Sequence, residues 1–332
     1  MSNVSTEDAT FEPPLVWDQH GCLPLRRNST IADLRQYVDA GCDFVSVNVG
    51  FDTIPWEDSL ETLMSFRAQI LDQREWVVLV GSGQDVLAAK RSGKLAVAFD
   101  LEGANALDGK VSMVDTYYQL GVRTMLTAYN VANRAGGGCL GDPDDGLTSF
   151  GRDVVREMNQ VGMVVDASHC ARRTTFDLFE HSTSPVIFSH SVPAGVHAHP
   201  RNIDDDQLKG CAQTGGVIGI NGVGIFLGDN TSSTEDLFRA VDYAVNVVGV
   251  EHVGIGLDYV FDMEETSDFA DADPEVFPVA HFTADDGSPL RFVHPRRLRD
   301  LADVMTRHGY SPPDVRAILG ENFLRVATSV WR

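Results

Sequence analysis

Residues Leu95–Glu102 read LAVAFDLE: six apolar residues, with one acid third from the end and another at the end. A run this short and this apolar has no polar face to offer water. It reads as a strand covered on both sides, as in parallel sheets. Similar runs recur at 15–20, 43–49, 124–129, 163–169, 186–190, 217–221 and 252–258, with a shorter one at 76–80. Helical patterns lie between them. Ile31, Leu34 and Val38 share a face in 31–40; Leu60, Leu63, Phe66 and Ile70 do so in 60–71; Leu237, Ala240, Val241 and Ala244 do so in 235–247. Eight main strands alternating with helices predict an α/β chain folded as one (β/α)8 TIM-type barrel. A doubly wound sheet is the competitor, but no Gly-rich dinucleotide fingerprint follows the first strand.

The 332 residues are 43% hydrophobic, enough to bury a large core. Lys and Arg number 26 and Asp and Glu 48, for a net charge of −22. That excess argues against nucleic acid and against an anionic membrane surface as partners. No run approaches the roughly 18 apolar residues of a membrane span. Residues 1–14 contain Glu7, Asp8 and Glu12, with no basic start and no apolar stretch. They read as a flexible leader rather than a secretory signal, before a single hydrolase-type domain at 15–332, and a cytoplasmic location is expected. Five cysteines, an odd number without a CxxC pair, predict no disulfide framework. Ser311, Pro312 and Asp314 open a C-terminal helix whose Ile318, Leu319, Phe323 and Val326 should pack onto the barrel. The acidic, Pro- and Asp-rich stretch 261–293 reads as a long loop over the mouth, a lid or partner surface.

Position on the strands is the informative feature. His20, Glu102, Tyr129, His169, His190 and Asp258 each end an apolar run, and strand C-termini form the active site of such barrels. One polar residue there marks only where a strand stops. Three histidines and two carboxylates among six point to chemistry. His20 and Cys22, two apart on an extended end, face the same way and can share a metal. His169 and His190 are about one αβ unit apart and should converge from successive strands. Imidazole, thiolate and carboxylate are the donors zinc prefers, and Glu102 has two oxygens with which to bridge two ions. His181, His252, His294 and His308 fall in contexts away from the mouth, whereas His197 and His199 follow His190 and could line it.

At this point the blocks resemble the renal or membrane dipeptidases, the metallopeptidase branch (family M19) of the amidohydrolase superfamily. The resemblance runs from about Trp17 to Trp331. Its blocks are Asp18 to Pro24 (DQHGCLP), Asp100 to Gly103 (DLEG), Asp166 to His169 (DASH), Ile187 to Ser191 (IFSHS), His199 to Asn202 (HPRN), Gly254 to Asp258 (GIGLD) and Gly320 to Val326 (GENFLRV). It implies a zinc-dependent dipeptidase that cleaves short unblocked dipeptides by a metal-bound hydroxide. His20 would hold the first of two zinc ions, Glu102 would bridge, and His169 and His190 would hold the second. Asp258 would take the hydroxide's proton or bind the substrate's amino group and then pass a proton to the leaving amine, and Arg201 would clamp the substrate carboxylate. Asp18 would orient its neighbours, and Asn322 and Arg325 would serve helix–barrel contacts. The resemblance leaves a homodimer open.

Two positions depart from the family pattern. Cys22 stands where the family has Asp, and it either ligates the first zinc or leaves one ion only. Tyr129 stands where the family has a substrate-binding His, and its hydroxyl would stabilise the oxyanion. These departures keep two alternatives open: a related amidohydrolase acting on another small amide, and a metal-poor, non-catalytic homologue.

Overall fold

The computed structural model describes residues 13–26 and 28–332. The leader expected over residues 1–14 lies outside that range apart from Pro13 and Pro14. Among the described residues, ten strands form one curled parallel sheet: β1 Trp17–Cys22, β2 Phe44–Phe51, β3 Val77–Leu79, β4 Leu95–Glu102, β5 Val122–Leu126, β6 Val164–Asp166, β7 Val186–Ser191, β8 Ile218–Ile220, β9 Val253–Ile255 and β10 Tyr259–Val260. The pairing order is β10-β1-β2-β4-β5-β6-β7-β8-β9. β9 and β10 are two halves of one stave, parted by residues 256–258. The first half pairs with β8 and the second with β1, which brings the sheet round into a TIM-like barrel. The short run at 76–80 is a real strand, β3, paired beside the first half of β4.

Burial explains the apolar runs. Every residue of β2 and of β4 is buried, because the helices cover one face and the barrel interior the other. The long helices Trp56–Asp72, Ser149–Val161 and Thr234–Val248 each turn an apolar stripe onto the sheet. The 31–40 pattern begins as a 3-10 turn, Ile31–Leu34, and continues as the helix Arg35–Ala40. All five cysteines are free. No helix among the described residues is long and apolar enough to cross a membrane.

The far end of the barrel is closed by aromatic packing. The Trp17 and Phe44 rings stack at 3.7 Å, with Phe323 at 6.4 Å and Trp331 at 6.0 Å from Trp17. Phe323 comes from the C-terminal segment, which opens with a capping box of Ser311 and Asp314. It rests on Gly254, where a Cβ would come within 2.5 Å of the ring. Asn322 donates to Val250 and Val253 carbonyls, and Arg325 to Gly215 and Glu251 carbonyls, so both tie the helix to the barrel. Phe323→Ala should therefore destabilise the protein by roughly 3–5 kcal/mol, read from denaturant unfolding. Its metal content should stay that of the parent, since the plug is at the opposite end from the histidines.

Two expectations change. The 261–293 segment is not one long loop. It contains helices Met263–Ala272 and Val279–Phe282, the first capped by the Asp262 carboxylate on the Glu264 and Glu265 amides. Polar composition hid the helices, because only a narrow face of the first is apolar. The strands also end earlier than the apolar runs. β5 stops at Leu126 and β6 at Asp166, so Tyr129 and His169 lie in the turns just beyond.

Candidate metal centre

Three local devices aim the polar residues into one place. The first is irregular pairing. The β1–β2 register shifts between Asp18 and Gly21, β2–β4 between Asn48 and Phe51, and β7–β8 between Phe188 and Ser191. These shifts bracket His20, the Glu102 end of β4 and His190, and such irregularities re-aim side chains at barrel rims. The second is backbone conformation. His169 (φ 61°) and Asp258 (φ 56°) are left-handed, a region that costs non-glycine residues energy and recurs at functional sites. The third is close approach. A Cβ on Gly256 would lie 1.8 Å from the Ser189 carbonyl oxygen, so the bare glycine lets the β9–β10 stave close on the His190 strand.

The result is a buried cluster at the strand C-termini. Glu102 Oε1 is 3.1 Å from His190 Nε2, 3.2 Å from His169 Nε2 and 3.6 Å from His20 Nε2. The His169 and His190 Nε2 atoms are 2.9 Å apart. Cys22 Sγ is 3.5 Å from His20 Nε2 and 3.3 Å from Asp258 Oδ1, and Asp258 Oδ1 is 3.7 Å from His20 Nε2. Two groupings have metal-holding geometry: His20, His190 and Asp258, and Glu102, His169 and His190. Donors around a tetrahedral zinc, with bonds of ~2.0–2.1 Å to N or O, stand about 3.3 Å from one another. The observed spacings bracket that value, so the donor set is consistent with metal binding.

The partners behind the donors set which nitrogen is free. Asn130 Nδ2 donates to the Val276 carbonyl at 3.0 Å, which turns its Oδ1 toward His169 Nδ1 at 2.6 Å. An amide oxygen only accepts, so His169 carries its proton on Nδ1 and presents a bare Nε2 to the cluster. His190 Nδ1 meets Ser189 Oγ at 2.6 Å, and His20 Nδ1 lies 3.2 Å from Asp100 Oδ1. That last contact is ionic and off the hydrogen-bonding direction, so His20 Nδ1 has no hydrogen-bond partner. Asp100 is itself held by Ser46 Oγ at 2.6 Å and by Asn48 Nδ2 at 3.2 Å. Asn48 Nδ2 also reaches Glu102 Oε2 at 3.3 Å, leaving Oε1 to face the imidazoles. Asp52, just past β2, accepts from the Tyr129 and Asn105 amides and from Asn133 Nδ2, and so fixes the turn that carries Tyr129.

Sequence reading missed Asp100, Asn48, Asn130 and Asp52 as supports. A carboxylate or amide inside an otherwise buried apolar strand was the available signal for the first two. Asn130→Ala should lower zinc affinity by about 10–100-fold, the usual cost of losing an orienting partner, measurable by competition with a chromophoric chelator.

Electrostatics follow from burial. Burial pushes the Glu102 carboxyl up to about 8, although His20 opposes the rise. Burial alone would lower His20, but the Asp100, Cys22 and Glu102 charges outweigh it and raise it. Burial, with Arg201 and the neighbouring imidazoles, keeps His169 and His190 neutral. Burial raises the Cys22 thiol and the Tyr129 phenol. A divalent cation would invert this balance by favouring carboxylate and thiolate.

The remaining sequence candidates sit close by. The Tyr129 ring stacks on His169 at 4.1 Å. Arg201 is 2% exposed and donates Nη1 to Ser191 Oγ and Nη2 to the His190 carbonyl, while its Nε has no partner. His199 packs behind Phe226 and bridges the Arg201 amide to the His281 carbonyl, so it supports the wall and does not line the mouth. Asp18 accepts from the Leu257 amide and the Tyr37 hydroxyl, and it lies outside both groupings. A cavity of about 460 Å³ opens on Tyr129, His169 and Asp258, and one of about 100 Å³ lies against Cys22 and Glu102.

The chain is similar to known proteins in sequence and in fold. The sequence model of the membrane dipeptidase family (peptidase family M19) matches residues 28–273. An uncharacterized Klebsiella pneumoniae protein is 29% identical over 76% of this chain and 88% of its own length. An uncharacterized dipeptidase of Schizosaccharomyces pombe is 34% identical over 61% of this chain, which spans half of that protein. A Pseudomonas aeruginosa amidohydrolase structure, 27% identical, superposes with a TM-score of 0.83 over 96% of this chain and 97% of its own. A Rhodobacter sphaeroides metallopeptidase, solved with a phosphinate mimic of L-Ala-D-Ala, shares the fold at 20% identity, a TM-score of 0.77, and 96% and 100% coverage.

Proposed function

Because the chain belongs to the membrane dipeptidase family, we propose that it is a zinc-dependent hydrolase of short, unblocked dipeptides. The observation that carries this reading is the convergence of three imidazole Nε2 atoms on one carboxylate oxygen, all within 3.6 Å. His20, Cys22 and Glu102 would hold one ion, and Glu102, His169 and His190 a second. Ions bound there supply Lewis-acid polarisation of the scissile carbonyl and activation of water.

The protein's own groups do the rest. Asp258 keeps Oδ2 on Asn221 Nδ2 at 3.0 Å and turns Oδ1 toward Cys22 and His20. That oxygen takes the proton of the attacking water and returns it to the leaving amine. Arg201 makes no ion pair among the described residues, and its unpartnered Nε draws the substrate carboxylate. The Tyr129 hydroxyl, held neutral by burial, donates to the carbonyl oxygen as charge builds there.

The test is zinc per chain by elemental analysis, followed by a dipeptide panel. Two equivalents with dipeptide turnover are expected, and chelator should abolish the turnover. Zinc-loaded protein that cleaves no dipeptide would sink the reading. Asp258→Asn should keep its zinc and lose about 10²–10⁴-fold in kcat; unchanged turnover would remove Asp258 from the mechanism. A second reading rests on Cys22 and Tyr129, which depart from the family pattern: hydrolysis of a different small amide, recognised by turnover of amides other than dipeptides in the same assay.

A further inference from the structure

The 460 Å³ cavity over the metal centre is walled by Phe226, Phe277, Phe282, Phe292, Leu290 and Met263. Its size suits a small-molecule site. Among the described residues lining it, Asp258 on the floor is the one carboxylate, and neither Lys nor Arg appears. Arg201 lies behind Phe226, its guanidinium carbon 6.0 Å from the ring centroid.

The chain carries a charge of −22, and the segment that builds much of this wall is among its most acidic. Glu264, Asp268, Asp271, Asp285 and Asp286 of that segment are exposed. Helix Met263–Ala272 instead turns Met263, Ser267 and Ala270 to the cavity, at i, i+4 and i+7. The segment thus separates its charges from the cavity. The aromatic wall is fixed by its own packing. Phe277 lies 5.6 Å from Phe282, 5.9 Å from Tyr129 and edge-on to Phe51 at 6.1 Å. Phe282 in turn meets Phe226 edge-on at 6.2 Å. The wall is continuous with the centre through Tyr129, whose ring stacks on His169.

We propose that this cavity is a side-chain subsite, and that the substrates carry a bulky, uncharged apolar side chain, aromatic or branched aliphatic. This rests on the dipeptidase reading and narrows it. Such a side chain would leave water for aromatic and aliphatic surface. An acidic side chain would lose its hydration, gain no cation, and face Asp258.

The test compares kcat/KM on the zinc-loaded full chain for Phe-Gly, Gly-Phe, Leu-Gly and Gly-Leu against Gly-Gly, Glu-Gly and Gly-Glu. At one position or both, Phe or Leu should exceed Gly by about tenfold or more, and Glu should fall below Gly. Equal values across the set overturn the subsite and leave the dipeptidase reading standing. Should none be cleaved, the dipeptidase reading falls and binding decides. Calorimetric titration of Phe-Phe and Gly-Gly into chelator-treated protein should then show Phe-Phe about tenfold tighter or more, and equal binding overturns the subsite. Ala270→Asp and Leu290→Asp, at half-buried wall positions, should each narrow the Phe-to-Gly ratio. An unaltered ratio in both variants places the selectivity elsewhere and overturns the assignment.

Discussion

Glu102→Gln should lose dipeptide hydrolysis by roughly 10³-fold or more and should lose most of its zinc. Glu102 Oε1 is the atom on which all three imidazoles converge, and Oε2 is held by Asn48. Gln has nearly the same shape but brings no charge, and its amide hydrogens must face either the imidazole nitrogens, where the metal would sit, or the Asn48 amide. The parallel measurement is stability without metal. Burial raises Glu102 from 4.5 to about 8, so folding favours its protonated form. Its contribution to stability is therefore complete below pH 4.5 and is lost as pH rises through 8. At pH 9 the chelated parent buries an ionised carboxylate, whereas the variant does not. Chelated Glu102→Gln should thus unfold no earlier than the chelated parent at that pH. Loss of zinc without loss of fold identifies a ligand. Zinc and turnover at parental levels would exclude Glu102 from the centre.

Cys22 offers the second large effect. Its sulfur lies 3.5 Å from His20 Nε2 and 3.3 Å from Asp258 Oδ1, and without metal it is a thiol that donates to that carboxylate. A zinc ion would make it a thiolate, with a bond near 2.3 Å against about 2.0–2.2 Å for a carboxylate. Cys22→Ser should drop the zinc content from two equivalents to one and reduce turnover by at least about a hundredfold. Cys22→Asp should keep two equivalents, because it restores a charged oxygen donor beside His20. In cobalt-substituted protein the near-ultraviolet thiolate absorption should be present in the parent and missing in both variants. A Cys22→Ser protein with two zinc ions, beside a parent whose cobalt spectrum lacks the thiolate absorption, would assign the first ion to His20, Glu102 and Asp258 alone.

What was legible in the chain was local. Apolar runs such as Leu95–Glu102 marked the staves, since a strand covered on both faces has few polar positions to spare. The i, i+2 spacing put His20 and Cys22 on one side, and Ser311 with Asp314 marked the C-terminal cap. The acidic segment at 261–293 was less legible. Its charges announced solvent, while the few apolar residues that face the cavity were too sparse to announce a helix.

The sequence by itself determined the α/β barrel class and offered candidates for its mouth, because burial periodicity is written residue by residue. Only the tertiary structure decided how those side chains meet. His169 and Asp258 reach the centre through left-handed turns beyond their strands, and shifts in register aim His20 and His190. Asn130 sets the tautomer of His169 because Val276, from a segment 146 residues away, holds the amide in one orientation. Such choices depend on which donors and acceptors the closed barrel brings within 3 Å of one another. No pattern of neighbours along the chain specifies that.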